Sequence, residues 1–150
     1  MIQFEDRPDF TPCYTPLEMF RLGIFGGAYY KIPTDLPLEF LQATKDLHTT
    51  EQVEDKSRNH WGVISGSPLA WWLEKGLIHP DDPNGWVEWY TKFYYGRRHE
   101  DDGRQIQRFR SFVSRHVPML RSYQAKGKDS LKTRQNLLQW AWDHEQDPTL

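Results

Sequence analysis

The sequence predicts a mainly α fold: a single compact domain of about six short helices, with at most one small extended segment. Apolar residues recur at the spacing of an amphipathic helix in several separate stretches. Capping residues or Pro precede these stretches, and Gly follows many of them. The chain has 150 residues, the size of one ordinary domain, without internal repeats or low-complexity tracts. Residues 1–150 are therefore expected to form one helical domain.

The N-terminal part begins with an irregular arm and continues into a short helix. Residues 1–14 show no periodicity and contain two Pro, so they predict the arm. Residues 15–18, Thr-Pro-Leu-Glu, form a capping box with Pro at the first helical position, and Gly23 is the expected stop. The Gly pair at residues 26–27 predicts close backbone packing. A phosphate-binding loop is the alternative, although the spacing of neither standard phosphate motif is present.

A second short helix is predicted over residues 36–44, with Thr34 or Asp35 as its cap. Residues 45–60 are largely polar and are expected to form a long surface loop. Residues 61–66 are the candidate extended piece.

The next two helices surround the most aromatic part of the chain. Residues 67–68, Ser-Pro, predict the start of a helix that Gly76 ends. Asp82 is the expected cap of the following helix, Pro83 suits its first turn, and Gly96 suits its C-terminal cap. One face of this helix carries five rings, which predict core, with a stacking platform for bases as the alternative. These rings are Trp86, Trp89, Tyr90, Phe93 and Tyr94.

A basic helix follows over residues 101–117, with the acidic pair at its start as the cap. Pro118 is expected to break or kink this helix. Its apolar face consists of Ile106, Phe109, Val113 and Val117.

The last helix follows a loop at residues 124–130, where Asp129 or Ser130 is the expected cap. Pro148 marks the end of the periodic sequence, and residues 143–150 are expected to form a tail. The expected buried side of the helix consists of Leu131, Leu138, Ala141 and Trp142.

Composition excludes several classes of protein. No stretch approaches the roughly 18 consecutive apolar residues of a membrane span, and the acidic N-terminus lacks the apolar region of a secretory signal. Cys13 is the single cysteine, so an internal disulfide is excluded. A cytoplasmic protein without membrane association is expected.

The charge distribution is asymmetric. Residues 1–96 hold 8 Lys or Arg and 14 Asp or Glu, a net charge of −6, whereas residues 97–134 hold 11 and 4, a net charge of +7. A basic block of this size suggests a phosphate-bearing partner, and neutralisation of the acidic half inside the fold is the alternative. The candidate anion-binding residues are Arg97, Arg98, Arg104, Arg108, Arg115, Lys126 and Lys128. The candidate rings for base stacking are Tyr94, Tyr95 and Tyr123.

Support for metal binding or covalent catalysis is weak. His79 and His99 each precede acidic residues, a composition that can bind a divalent metal, but helix capping explains these acids better. No metal and no cofactor are therefore predicted. Neither Cys13 nor Ser67 stands in the recognisable sequence pattern of a catalytic nucleophile and its base. The Arg/Asp cluster at residues 97–108 is interpreted either as an ion-pair network or as an anion site.

Residues 85–109 carry a long pattern, Gly-Trp-x-x-Trp-Tyr-x-x-Phe-Tyr-x-Gly-Arg-Arg-x-x-Asp-Asp-x-Arg-Gln-Ile-x-Arg-Phe. Together with residues 25–27 and 137–141, it resembles a family of small uncharacterised phage and microbial proteins. The resemblance spans most of residues 15–142 and implies a role in nucleic-acid metabolism or host interaction, in the host cytoplasm for a phage protein. It implies no particular activity, cofactor or catalytic residue.

The leading functional prediction is a nucleic-acid-associated protein whose basic segment, residues 97–134, contacts the phosphates of DNA or RNA. An adaptor or inhibitor that binds another protein is the alternative, because aromatic and Arg side chains are enriched at interfaces. A small enzyme that acts on a phosphorylated substrate is the third prediction. No complete acid–base or nucleophile arrangement is visible, so a non-enzymatic function is favoured.

Overall fold

The computed structural model describes residues 1–65 and 69–146. These residues contain six α-helices and two 3₁₀ turns, at Lys56–Arg58 and His144–Gln146. The helices are α1 (Pro16–Arg21), α2 (Leu38–Ala43), α3 (Leu69–Glu74), α4 (Trp86–Tyr94), α5 (Asp102–Ala125) and α6 (Leu131–Leu138). The predicted mainly α fold is confirmed.

The described residues contain no β-strand, so residues 61–65 do not form one. An isolated antiparallel bridge joins Ala28 and Thr50. Two predictions lie outside the described residues: the helix start at Ser67-Pro68 and the end of the periodic sequence at Pro148. None of the described helices has the length and apolarity needed to cross a membrane.

Helix α4 forms the centre of the core, as its aromatic stripe predicts. Seven of its nine residues are buried. Phe10, from the irregular arm, is fully buried and contacts the rings of Trp86, Trp89, Tyr90 and Phe93 on α4 at centroid distances of 5.4 to 6.1 Å. The arm is therefore irregular in conformation but is anchored in the core by one ring.

The polar atoms of Trp86, Trp89 and Tyr90 on α4 have partners. Trp89 Nε1 donates to Asp102 Oδ1 at 2.8 Å, and Trp86 Nε1 donates to the Gln105 carbonyl oxygen at 3.1 Å. Tyr90 donates its hydroxyl proton to the Tyr14 carbonyl oxygen at 2.6 Å. These bonds tie α4 to α5 and to the arm, and they offset the cost of burying polar groups.

Helix α5 contradicts the predicted break of the helix at Pro118, because the helix continues to Ala125, and the predicted kink stays a prediction. Pro118 is exposed, whereas Val117 and Leu120 on the same turn are buried. Burial of two such side chains contributes about 3–6 kcal/mol, which offsets the cost of about 3 kcal/mol for a Pro in a helix. Packing therefore overrides the local signal.

Several helix ends follow their local signals. The capping box at Thr15 is complete, and Ser130 Oγ accepts from the Thr133 backbone N–H. Gly23, Gly76 and Gly96 follow their helices with positive φ. These predictions are confirmed.

Three predicted caps were wrong. Helix α4 starts after Gly85 without a side-chain cap, so Asp82 and Pro83 lie before it. Helix α2 starts after Pro37, also without a side-chain cap, so neither Thr34 nor Asp35 caps it. Asp101 precedes α5 but makes no capping hydrogen bond. In two of these cases the side chain has a distant partner, which sequence spacing does not show: Asp82 pairs with Arg97, and Thr34 donates to Glu88.

Helix α6 ends at Leu138, earlier than the periodicity predicts, and Ala141 adopts a φ of 56°. Leu138, Ala141 and Trp142 are buried as expected, but Leu131 is 43% exposed. Leu131 is the first residue of α6 and lies beyond the core, so its predicted burial was wrong.

The Gly pair at residues 26–27 packs closely against the polar segment 45–60. Both glycines have positive φ, and a Cβ at Gly26 would lie 2.6 Å from the Asp55 carbonyl oxygen. Backbone hydrogen bonds join Asp55 N–H to Gly26 and Glu51 N–H to Gly27. The prediction of close packing is confirmed, and the polar segment is thereby fastened to the domain.

Candidate functional site

Arg97, a candidate anion-binding residue, is held by a buried carboxylate. Asp82 is fully buried, and its two oxygens accept from Arg97 Nη1 and Nη2 at 2.8 and 2.7 Å. Lys92 Nζ donates to the same carboxylate at 3.0 Å. The bidentate pair with Arg97 and the bond from Lys92 satisfy Asp82. The Arg97 guanidinium is therefore committed to the fold.

Lys92 links Asp82 to a second buried carboxylate, Glu88. Glu88 is fully buried and accepts from Lys92 Nζ at 2.7 Å, from Thr34 Oγ1 at 2.8 Å and from Asn84 Nδ2 at 2.8 Å. These bonds tie two segments to α4: the one before α2, through Thr34, and the one before α4, through Asn84. The two carboxylates are satisfied internally, which is the arrangement of a structural network.

Two further candidate arginines also have acidic partners. Arg98 Nη2 donates to Asp6 Oδ1 at 3.1 Å, and its guanidinium lies 3.8 Å from the Phe93 ring centroid. Arg104 forms a two-armed pair with Asp101, at 2.6 and 2.8 Å. The contacts of Arg97, Arg98 and Arg104 favour the ion-pair interpretation, and anion binding by these three residues stays a prediction.

The Arg104–Asp101 pair gives the stability of the domain a pH dependence. Burial raises the pKa of Asp101, but the Arg104 guanidinium and the Gln105 amide outweigh burial, so the net pKa is lowered. The carboxylate therefore stabilises the fold above its unfolded-state pKa of about 3.9. This contribution is lost as the pH falls through the lower folded-state pKa.

We expect Asp101→Asn to reduce the loss of unfolding free energy between about pH 5 and pH 2. Urea unfolding at several pH values measures this loss in the wild type and the variant. Asp46→Asn is the control, because Asp46 is exposed and makes no side-chain hydrogen bond to a described residue. Equal acid dependence in the wild type and Asp101→Asn would contradict the assignment.

The two histidine clusters of the sequence form one cluster in space. His79 Nε2 lies 3.2 Å from Glu100 Oε1, His99 Nε2 lies 2.8 Å from Asp81 Oδ2, and the ring centroids are 4.8 Å apart. Each Nδ1 accepts a backbone N–H, from Asp81 at 3.0 Å and from Asp101 at 3.1 Å. The proton of each neutral ring therefore lies on Nε2, where it is donated to a carboxylate.

Metal binding through these Nε2 atoms would require the proton to move to Nδ1, where a backbone N–H already points. The nearby atoms of His79, His99 and Glu100 could surround an ion by distance alone. Their hydrogen bonds join the loop before α4, at His79 and Asp81, to the loop before α5, at His99 and Glu100. This arrangement fits a structural link better than a metal site.

Arg108 differs from the other candidate arginines because it lines a pocket. The pocket has a volume of about 320 Å³. The Arg108 guanidinium carbon lies 5.5 Å from the Trp72 ring centroid and 5.2 Å from that of Trp140. Its closest hydrogen bond runs from Nη1 to Gln105 Oε1 at 2.9 Å. No carboxylate among residues 1–65 and 69–146 forms an ion pair with it, and burial lowers its pKa to about 10.

Five cations of the basic segment are exposed and make no side-chain hydrogen bond or ion pair with a described residue: Arg110, Arg115, Lys126, Lys128 and Lys132. The nearest acid along this part of the chain, Asp129, is already bound by Arg134 at 2.9 Å. The structure therefore separates the predicted anion-binding residues into an ion-paired group, one pocket residue and an exposed group.

The three candidate stacking rings are placed differently from one another. Tyr94 and Tyr95 are half-buried, with their rings 5.2 Å apart, and Tyr95 also contacts Phe40. Tyr123 is 37% exposed on the last turns of α5. Of these three, Tyr123 offers the most open face for stacking.

The pocket was not found from the sequence. Its walls come from distant parts of the chain, including Tyr29, Trp72, Trp86 and Trp140. Trp71 and Trp72 lie in α3, the helix predicted to end at Gly76. Helical spacing alone does not show that Trp72 faces Arg108. Comparisons of the chain with protein-family models, with curated proteins and with solved structures found no match.

Proposed function

We propose that this protein binds nucleic acid through the exposed basic surface formed by Arg115, Lys126, Lys128 and Lys132. The observation that supports the proposal is the absence of ion-paired acidic partners for these four cations among the described residues. The other arginines of the basic segment that have carboxylate partners are committed to the fold. Uncompensated Lys and Arg attract the phosphate backbone irrespective of base sequence.

The dimensions of this basic surface suit a polyanion. Arg115 and Lys126 are 11 positions apart on one face of the helix, which corresponds to roughly 16 Å along its axis. That length equals about five base steps of a duplex strand at 3.4 Å each. Tyr123 lies between the two ends of the surface and supplies a ring on which a base of a single strand can stack.

Salt-dependent binding tests the proposal. We expect labelled single-stranded DNA or RNA to bind at low salt, with affinity that falls steeply as salt rises. The triple variant Arg115→Ala, Lys126→Ala, Lys128→Ala removes three phosphate contacts. It should weaken binding roughly tenfold or more and reduce the slope of log affinity against log salt by about 2. Fluorescence anisotropy across salt concentrations, with duplexes in parallel, measures both quantities.

A second triple variant provides a matched control. Arg21→Ala, Lys45→Ala, Lys56→Ala removes the same charge from exposed residues outside the basic surface. It should bind like the wild type. Equal losses in the two triple variants would reduce the effect to net charge, and absence of binding by the wild type at low salt would overturn the proposal.

The alternative partner is another protein. Ile64, Trp71 and Leu73 are 57%, 40% and 51% exposed, and apolar side chains of this kind are enriched at interfaces. This alternative takes precedence if no nucleic acid binds. The third prediction, an enzyme acting at the Arg/Asp/His cluster, has less support because those side chains are bound to one another.

The proposed function agrees with two predictions from the sequence. One is the resemblance of residues 85–109 to small phage and microbial proteins, and the other is a cytoplasmic location. Both stay proposals.

A further inference from the structure

The pocket beside Arg108 has the size and the walls of a small-molecule site. Its volume of about 320 Å³ lies at the lower end of the range for ligand pockets, roughly 300–1,000 Å³, and suits one small ligand. Six aromatic side chains line it: Phe25, Tyr29, Trp72, Trp86, Phe112 and Trp140. Flat apolar walls of this kind favour a planar ring, which gains stacking energy in addition to burial.

Arg108 supplies the pocket with a cation that the protein does not neutralise. Its positive charge is only half-exposed and lies between two indole rings, with an amide oxygen as its closest acceptor. Burial is the main cause of its lowered pKa, and the neighbouring Arg104 adds to the effect. A bound anion would remove this electrostatic cost. The planar guanidinium matches phosphate or carboxylate in a two-armed geometry.

Glu54 supplies an acceptor that also lacks a partner. Its Oε1 atom is buried and makes no hydrogen bond to the described residues. Burial raises the pKa of Glu54, and the charge of Lys31 opposes this shift. A buried acceptor without a donor is costly, and a ligand N–H would satisfy it.

We propose that this pocket binds a nucleoside monophosphate, with its base against the indole rings, its phosphate on Arg108 and an exocyclic amino N–H of the base donated to Glu54. A simple aromatic acid would satisfy Arg108 but would leave the Glu54 oxygen without a donor. Adenine, cytosine and guanine carry an exocyclic amino donor, whereas uracil offers only its ring N3–H. A ligand that donates through an exocyclic amino group is AMP, CMP or GMP rather than UMP.

This pocket shares no residue with the exposed basic surface, so the pocket proposal does not rest on the proposed nucleic-acid function. The same chemistry can come from two sources. One is a free nucleotide, and the other is a nucleotide of a single strand whose backbone follows the exposed cations. Arg115 is seven positions after Arg108 and hence on the same face of α5, so a strand along the surface could reach the pocket.

Binding of four free nucleotides to the whole protein tests the pocket. We expect AMP, CMP and GMP to quench tryptophan fluorescence on binding and UMP to bind more weakly. Removal of the phosphate, by use of the nucleoside, should weaken binding about tenfold to a hundredfold in the wild type. In Arg108→Met the nucleotide and the nucleoside should bind equally. In Glu54→Gln the difference between CMP and UMP should shrink.

The two comparisons form thermodynamic cycles, which separate loss of a specific contact from a general disturbance of the pocket. If Arg108→Met fails to fold, the wild-type comparison of nucleotide with nucleoside decides the role of the phosphate, and Glu54→Gln decides the role of the base. Absence of binding by all four nucleotides at millimolar concentration would overturn the proposal, as would equal binding of nucleotide and nucleoside by the wild type.

Two further arms distinguish the source of the ligand and the two proposals. Displacement of a bound nucleotide by a short single-stranded oligonucleotide assigns the pocket to a strand, and lack of displacement assigns it to the free nucleotide. The triple variant Arg115→Ala, Lys126→Ala, Lys128→Ala should keep its affinity for the free nucleotide. Oligonucleotide binding without any nucleotide binding would overturn the pocket proposal alone.

Discussion

Replacing Asp82 with Ala is expected to lower the free energy of unfolding by about 3–5 kcal/mol. Asp82 is fully buried and accepts hydrogen bonds from Arg97 and Lys92. Loss of the carboxylate leaves the Arg97 guanidinium, 26% exposed, and the Lys92 ammonium, 12% exposed, without this common partner. A partly buried cation that loses its partner incurs a large desolvation cost, which makes this change more damaging than a surface substitution.

Urea denaturation of the wild type and Asp82→Ala measures the difference. Asp6→Ala is the matched control, because it also removes a carboxylate from an arginine pair. Asp6 and Arg98 are 53% and 40% exposed, and an exposed pair contributes at most about 1 kcal/mol. If the two variants lose similar stability, the Asp82 network is not the anchor that its burial implies.

Gly23→Ala is expected to destabilise the domain by about 2–5 kcal/mol. Gly23 has a φ of +63°, and a Cβ at this position would lie 1.9 Å from the carbonyl oxygen of Arg58. The left-handed conformation alone costs an L-residue about 1–2 kcal/mol. The remainder comes from the backbone contact, which only a shift of the chain near Arg58 can relieve.

Gly76→Ala separates these two contributions. Gly76 has a φ of +69° and follows α3, but a Cβ there would have no atom within 4 Å. Gly76→Ala should lower the free energy of unfolding by about 1–2 kcal/mol, which is the cost of the left-handed conformation alone. Thermal or urea unfolding of both variants gives the difference, which measures the contact of residue 23 with Arg58. Equal losses would mean that the segment containing Arg58 moves aside freely.

The proposed nucleic-acid surface and the proposed nucleotide pocket depend on different parts of α5. The surface depends on cations that point away from the fold, and the pocket depends on Arg108, which points into it. The basic block of the sequence therefore has three uses. Arg97, Arg98 and Arg104 join structural segments, Arg108 faces a cavity, and the remaining exposed cations form a surface.

Local features of the fold were predictable from the sequence. The capping box at Thr15, the Ser130 cap and the stop at Gly23 each depend on side chains and backbone angles within a few residues. The stripe of rings on α4 was predicted as core because its spacing repeats with the helical period. Such signals need no knowledge of what lies elsewhere in the chain.

The errors arose where a distant partner competes with a local signal. Asp82 has the residue type of a helix cap, but its carboxylate binds Arg97, which is 15 positions away in sequence. Pro118 has the residue type of a helix end, but buried side chains on either side hold the helix together. A local pattern cannot weigh an interaction with a residue whose position is set by the rest of the fold.

The candidate site shows the same division. The basic segment and its candidate residues were evident from composition, because charge can be counted along the chain. The pairing of each Arg, the joining of the two histidine clusters and the pocket between Trp72 and Trp140 were decided by tertiary structure. By itself the sequence determined where helices form and which faces are apolar, since these depend on neighbours along the chain. The fold decided which charges remain without partners, because burial and pairing depend on residues that only folding brings together.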